Sequence, residues 1–200
     1  MLNNPVLDTS KRVILVTNAP APYRIPAYEL LAKHTDISLT IVYCTHSHIQ
    51  NLTEQKSENC YRTCYLTKPY FAFKRSFLHS DMSVIKLLNE IKPDVVITTG
   101  YIPTFLYAFM WAWWRGVPHI VMTDGTLNSE SNYSFLHKLI RKFVFRHSAS
   151  FIGACQGSLA LFKSYGVSKE KLFEAPLAIN NQRFFNQKNV EEKRRRISGY

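Results

Sequence analysis

The run Arg12-Val13-Ile14-Leu15-Val16-Thr17 constrains the fold most, because its four inner positions are apolar without alternation and three of them are β-branched. A strand that is apolar on both faces must be covered on both faces, which is the situation of a parallel strand between two helical layers. Similar runs recur at Ile37 to Tyr43, Tyr61 to Leu66, Asp94 to Thr98, His119 to Met122 and Ser150 to Gly153. Helix-length segments separate them. Pro22 or Pro26 opens one that runs to about Lys33, proline being tolerated in a first turn. Asp81 reads as the N-cap of a second carrying Val84, Ile85, Leu87, Leu88 and Ile91, which Pro93 ends. Gly100 leads into an aromatic helix ending near Arg115, a basic helix spans about Tyr133 to Arg146, and Gln156 to Tyr165 is closed by Gly166. Strand–helix alternation at these spacings predicts an α/β fold with a doubly wound, Rossmann-like parallel sheet. Two hundred residues are enough for one such domain with a real core.

Ligands of such sheets collect beyond the carboxyl ends of the strands. The segments to search are therefore Asn18 to Arg24, Gly100-Tyr101, Thr123 to Glu130 and Ala154 to Ser158. The first, Asn18-Ala19-Pro20-Ala21-Pro22-Tyr23-Arg24, contains no glycine. A dinucleotide pyrophosphate or a P-loop phosphate needs close backbone approach at this turn, so dehydrogenase and P-loop chemistry are set aside. What remains is a proline-stiffened loop offering Asn18, Tyr23 and Arg24 to hydroxyls and an anionic group; in the plainer alternative Tyr23 packs and Arg24 pairs with a surface carboxylate.

In Thr123-Asp124-Gly125, a carboxylate at a strand end is suited to accepting hydrogen bonds from sugar hydroxyls or acting as a base, or else its side chain caps a short turn or helix. Ser129, Glu130 and Asn132 are placed to line the same cleft. Gly153-Ala154-Cys155-Gln156-Gly157 is a loose nucleophile elbow with no partner base to activate Cys155. Cys60 and Cys64, if on one strand, lie about 13 Å apart, too far for a disulfide, and no His/Cys spacing suits zinc. The cysteines read as small buried thiols of a reducing compartment, the histidines as structural or exposed, and His119 as a core residue. No metal site is expected.

Charge is the one imbalance in composition. The chain carries +11, and from His137 onward thirteen Lys and Arg stand against four Asp and Glu, a net of +9. The charges of this stretch are not set on a recognisable reading helix, so nucleic acid is not the expected partner. Lys138, Arg141, Lys142 and Arg146 instead recur at helical spacing among apolar residues, describing either a solvated face or a surface for anionic lipid. The most apolar stretch, Ile102 to Trp114, falls short of the ~20 residues of a membrane span. With no secretory leader in Met1 to Ser10, the chain reads as cytoplasmic, with membrane contact at the surface only.

The opening Thr17-Asn18-Ala19-Pro20-Ala21-Pro22-Tyr23-Arg24-Ile25-Pro26 resembles the T-N-x-P-x-P-Y-R start of many bacterial sugar transferases of glycosyltransferase family 4. Lys92-Pro93-Asp94-Val95-Val96-Ile97, Gly116-Val117-Pro118, Thr123-Asp124-Gly125 and Gly166-Val167-Ser168-Lys169-Glu170-Lys171-Leu172-Phe173 follow in the family's order. Pro176 to Phe184 is similar to its hinge segment, with Asn180 where aspartate is common.

The resemblance implies the N-terminal, acceptor-binding half of a GT-B glycosyltransferase: residues 1–10 a flexible start, 11–178 the Rossmann-like domain, and 179–200 a hinge and the start of a truncated C-terminal region. By the same resemblance Asn18, Pro20, Tyr23, Arg24, Gly100, Tyr101 and Gly125 lie on the acceptor side, and Asp124 stands beside the transferred sugar as the catalytic residue. Transfer is expected to need no metal or cofactor, with a nucleotide-sugar bound by a missing C-terminal domain and a lipid-linked or oligosaccharide acceptor bound here. Lys138, Arg141, Lys142 and Arg146 would face an anionic membrane. Without the donor half the isolated chain is expected to be inactive. The alternative is a noncatalytic acceptor-binding or scaffolding subunit that recruits a separate donor-binding chain.

Overall fold

The computed structural model describes residues 10–21, 23–34, 36–45, 61–66, 71–73, 76–130 and 133–177. Seven strands form one parallel sheet: β1 (Lys11–Thr17), β2 (Ile37–Tyr43), β3 (Arg62–Tyr65), β6 (Val95–Thr98), β7 (His119–Thr123), β8 (Ser150–Gly153) and β9 (Leu172–Glu174). Their order is β3-β2-β1-β6-β7-β8-β9. A separate antiparallel pair, β4 (Phe71–Phe73) and β5 (Ser76–Leu78), stands outside it. The helices are α1 (Ile25–Ala32), α2 (Ser83–Ile91), α3 (Pro103–Arg115), the single turn α4 (Leu127–Glu130), α5 (Phe135–His147) and α6 (Gln156–Ser164). The Rossmann-like doubly wound sheet is thus the observed architecture.

β1 is covered on both faces, as its composition requires. Val13 and Leu15 pack with Tyr28 of α1, while Ile14 and Val16 pack with Val84 and Leu88 of α2 and Phe105, Ala108 and Ala112 of α3. A third cluster joins Phe109 of α3, Val121 and Phe151 of the sheet, Val144 and Phe145 of α5, and Leu159 and Phe162 of α6. The chain winds outward from β1 in one direction through β2 and β3 and in the other through β6 to β9. The strand order therefore reverses between β1 and β6, the place where doubly wound sheets form a ligand crevice at the carboxyl ends of the strands.

Local signals explain most boundaries. Pro26 sits in the first turn of α1, Asp81 Oδ1 accepts the Ser83 N–H at 2.9 Å, and Gly116 closes α3 at φ +67°. Three elements depart from expectation. The polar segment after Thr123-Asp124-Gly125, which its composition reads as a loop, contains a helical turn, because Thr126 and Ser129 hydrogen bond each other's backbone N–H and wind α4. The basic helix begins at Phe135, not Tyr133. A 3-10 turn, Lys169–Lys171, feeds β9, which pairs with β8 at Phe151–Leu172 and Ile152–Phe173. Pro22, Cys60, Asn132, residues 1–9 and the expected hinge from 179 onward lie outside the described residues.

Candidate functional site

The exits of β1, β6, β7 and β8 converge at one end of the sheet. Thr99 Oγ1 donates to Thr17 Oγ1 at 3.0 Å, tying the first two exits together. Past Thr17, Asn18 and Tyr23 are exposed and Pro20 is half-buried. Arg24 is half-buried, with its guanidinium 5.8 Å from the Tyr23 ring centre. Its Nη1 reaches across to Met122 Sδ on β7, 3.9 Å away. A cation from the first exit thus ends two residues before Asp124.

Asp124 itself is exposed and makes no hydrogen bond or ion pair with the described residues. The capping alternative is not realised there: Thr123 Oγ1, not Asp124, accepts the Gly125 N–H at 3.1 Å. Ser129, expected to line the cleft, is exposed and exchanges hydrogen bonds with Thr126. Gly100 is needed for packing, since a Cβ there would stand 3.1 Å from the Phe105 ring.

Beneath these exits lies a charged cluster that residue spacing did not reveal. Arg141 is 4% exposed, so it leaves the basic face on which the sequence placed it. Its Nε lies 2.8 Å from Glu130 Oε2, and its guanidinium is held between the rings of Tyr101 at 4.5 Å and Tyr133 at 4.2 Å. Burial raises the Glu130 carboxyl pKa against the opposing pull of Arg141. The second carboxylate oxygen of Glu130 would lie 2.7 Å from a Cβ on residue 125, which explains the glycine. Tyr101, expected at the cleft wall, has its hydroxyl buried and its pKa raised, chiefly by desolvation and against the pull of Arg141.

Cys155 precedes α6 and is exposed, contrary to the buried-thiol expectation that Cys44 fulfils. Its Sγ lies 3.5 Å from Ser158 Oγ. Hydrogen bonding by the Ser158 side chain and backbone lowers its pKa. Its hydrogen-bonding neighbours are Ser158 and Gly157, neither of them a base.

On α5 the outward face is mixed. Lys138, Lys142 and Arg146 are exposed and unpaired among the described residues, interleaved with Phe135 (81% exposed), Leu136, Leu139 and Phe143. Phe143 meets Trp113 of α3 edge-on at 5.6 Å, and Trp114 beside it is 81% exposed. No described helix is long and apolar enough to cross a membrane, and no group of three metal-ligating side chains occurs among the described residues.

No family model matches the chain. No curated protein matches it either. Among solved structures it is similar to Anabaena HepE in complex with UDP and glucose, with a TM-score of 0.66 and 11% identity over 94% of this chain and 50% of that one. It is also similar to the UDP-GlcNAc 2-epimerase from Neisseria meningitidis bound to UDP-GlcNAc, with a TM-score of 0.59 and 16% identity over 91% of this chain and 52% of that one. The epimerase from Methanocaldococcus jannaschii follows, with a TM-score of 0.53 and 14% identity over 82% and 45%. The likeness is one of fold, the Rossmann-like unit of GT-B-type structures, and the chain spans about half the length of each.

Proposed function

We propose that this chain is the acceptor-side half of a GT-B sugar transferase of the family 4 kind, acting in cell-surface glycan or glycoconjugate synthesis. The observation that carries the reading is the reach of Arg24 from the β1 exit to Met122 of β7, whose exit presents an unpartnered, exposed Asp124 two residues on. Asp124 receives the acceptor hydroxyl as hydrogen-bond acceptor or base, and Arg24 with Asn18 and Tyr23 orients an anionic or hydroxyl-rich acceptor. The nucleotide-sugar is bound by a donor region outside these 200 residues, and transfer needs no metal ion, as the family resemblance implies.

The test is transfer by the chain joined to a matching donor-binding half. Asp124→Ala is expected to reduce the rate by about 100-fold or more, the usual range for a positioned acid–base group. Arg24→Ala should act mainly on acceptor KM. Unchanged transfer by both variants removes the assignment.

A second reading, epimerisation of a nucleotide-sugar, is favoured by the likeness to the Neisseria epimerase. It predicts a new UDP-sugar epimer with no acceptor present. A noncatalytic acceptor-holding subunit would give acceptor binding without turnover in any pairing.

The lipid-linked acceptor implies attachment to a membrane surface, through the basic and apolar outer face of α5. Cosedimentation with anionic vesicles should be strong at low salt and weaken as salt screens the charge. No cosedimentation at low salt rejects this part.

A further inference from the structure

At the opposite end of the sheet from the strand exits, a cavity of about 390 Å³ opens between α5, the end of α6 and the 3-10 turn before β9. Its accessible wall is Tyr165 and Val167, half-buried side chains packed over Phe145 and Phe151 of the third core cluster. Its rim carries Lys142 and Arg146 from α5 and Lys171 from the 3-10 turn. These cations come from two elements, and none has an ion-pair partner among the described residues. No carboxylate lines the cavity. Glu170, next along the turn, is held by its own backbone N–H and by Ser168, which lower its pKa. Three like charges around one opening repel each other unless an anion lies between them.

We infer that this cavity binds an anionic phospholipid, its phosphate held by Lys142, Arg146 and Lys171 and its apolar part against Tyr165 and Val167. The inference rests on the membrane-surface part of the proposed function. An inorganic anion uses only the rim and leaves the half-buried Tyr165 and Val167 wet, whereas a phosphate ester with a hydrocarbon body covers them as well. The adjoining surface favours a lipid in a bilayer over a free metabolite. The helix that supplies Lys142 and Arg146 turns Phe135, Leu139 and Phe143 outward between its cations, and thirteen helical residues lay about 20 Å of that face along a membrane plane.

The full 200-residue chain is titrated with dihexanoyl phosphatidylglycerol below its micelle concentration, with inorganic phosphate, and with vesicles of phosphatidylcholine with and without phosphatidylglycerol. Amide chemical shifts report the site. The short-chain lipid should bind saturably and shift Gly166 and Val167. Lys171→Gln should weaken this at least tenfold while sparing most vesicle adsorption, because Lys171 is not on α5. Lys86→Gln, on α2, removes the same charge and should change neither measurement. Circular dichroism confirms that both variants fold.

Shifts confined to the outer face of α5 would overturn the cavity assignment and leave the membrane reading standing. Inorganic phosphate binding as tightly as the lipid would overturn the lipid assignment. Saturable short-chain binding without vesicle adsorption supports the cavity and rejects the membrane reading.

Discussion

At Arg141 a guanidinium lies between Tyr101 and Tyr133 and against Glu130, almost out of contact with water. Taking two charges from water is compensated only while both remain. Arg141→Met leaves the Glu130 carboxylate uncompensated and should cost about 3 kcal/mol in chemical denaturation at pH 8. The sign of the pH effect follows from Glu130: its folded pKa is already raised, and loss of Arg141 raises it further. A carboxyl whose folded pKa exceeds its unfolded one destabilises the fold increasingly as pH rises, so the deficit should shrink toward pH 5. Adding Glu130→Gln should recover much of the loss at pH 8, and a double variant as unstable as the single one would mean that the ion pair is not the source. His119 follows the opposite logic. Ser148 Oγ donates to Val144 O at 2.8 Å, so it accepts from His119 Nδ1–H, and Nε2 accepts from Thr98. Burial pushes the ring pKa down to about 4. Because the folded value lies below the unfolded 6.5, stability is full above pH 6.5 and falls as the pH drops toward 4, by about 3 kcal/mol. His119→Asn should be less stable at pH 7 and lack this slope, as read by calorimetry across that window.

At the scale of elements, the strand-like runs announced six of the seven sheet strands, because a run between turn residues is read from its own composition and needs no knowledge of its neighbours. α2 was equally legible, bracketed by Asp81 and Pro93, whereas its actual stop is Lys92 in the left-handed region at φ +49°, a backbone choice that no side chain signals. β9 was not legible: three residues are too few to show a period, and its existence depends on pairing with β8. α4 escaped for a related reason, being one turn held by the Thr126–Ser129 exchange. The phase of α5 misled most. Apolar residues surround that helix, so spacing alone could not tell that Val144 and Phe145 face the core while Leu139 and Phe143 face out. Arg141 shares their helix and residue type with the surface cations, and only a partner eleven residues earlier, Glu130, turns it inward. The candidate site was legible as strand exits and not as contacts, since the reach of Arg24 to Met122 joins segments 98 residues apart.

For the whole molecule, the strand order sets where rigidity and ligand access lie. β1 and β6 are neighbours at the centre, each hydrogen bonded on both sides, and their inner residues Ile14, Val16 and Val96 are fully buried. β3 and β9 are edges with largely exposed side chains. Parallel edge strands pair only on one side, so they open without breaking the core. The β1–β6 reversal therefore falls on the most resistant strands, while the proposed lipid cavity borders the outermost strand, β9. In native-state hydrogen exchange the amides of Ile14 to Val16 and Val96 to Thr98 should exchange only through global unfolding. Those of Arg62 to Tyr65 and Leu172 to Glu174 should exchange at least about 100-fold faster, a difference of about 3 kcal/mol in opening free energy. Short-chain phosphatidylglycerol should slow the β9 amides and leave β3 unchanged, because only β9 adjoins the cavity. Equal protection of β1 and β9 without lipid would show instead that the sheet opens as one unit, and that its edge has no separate motion for a ligand to quench.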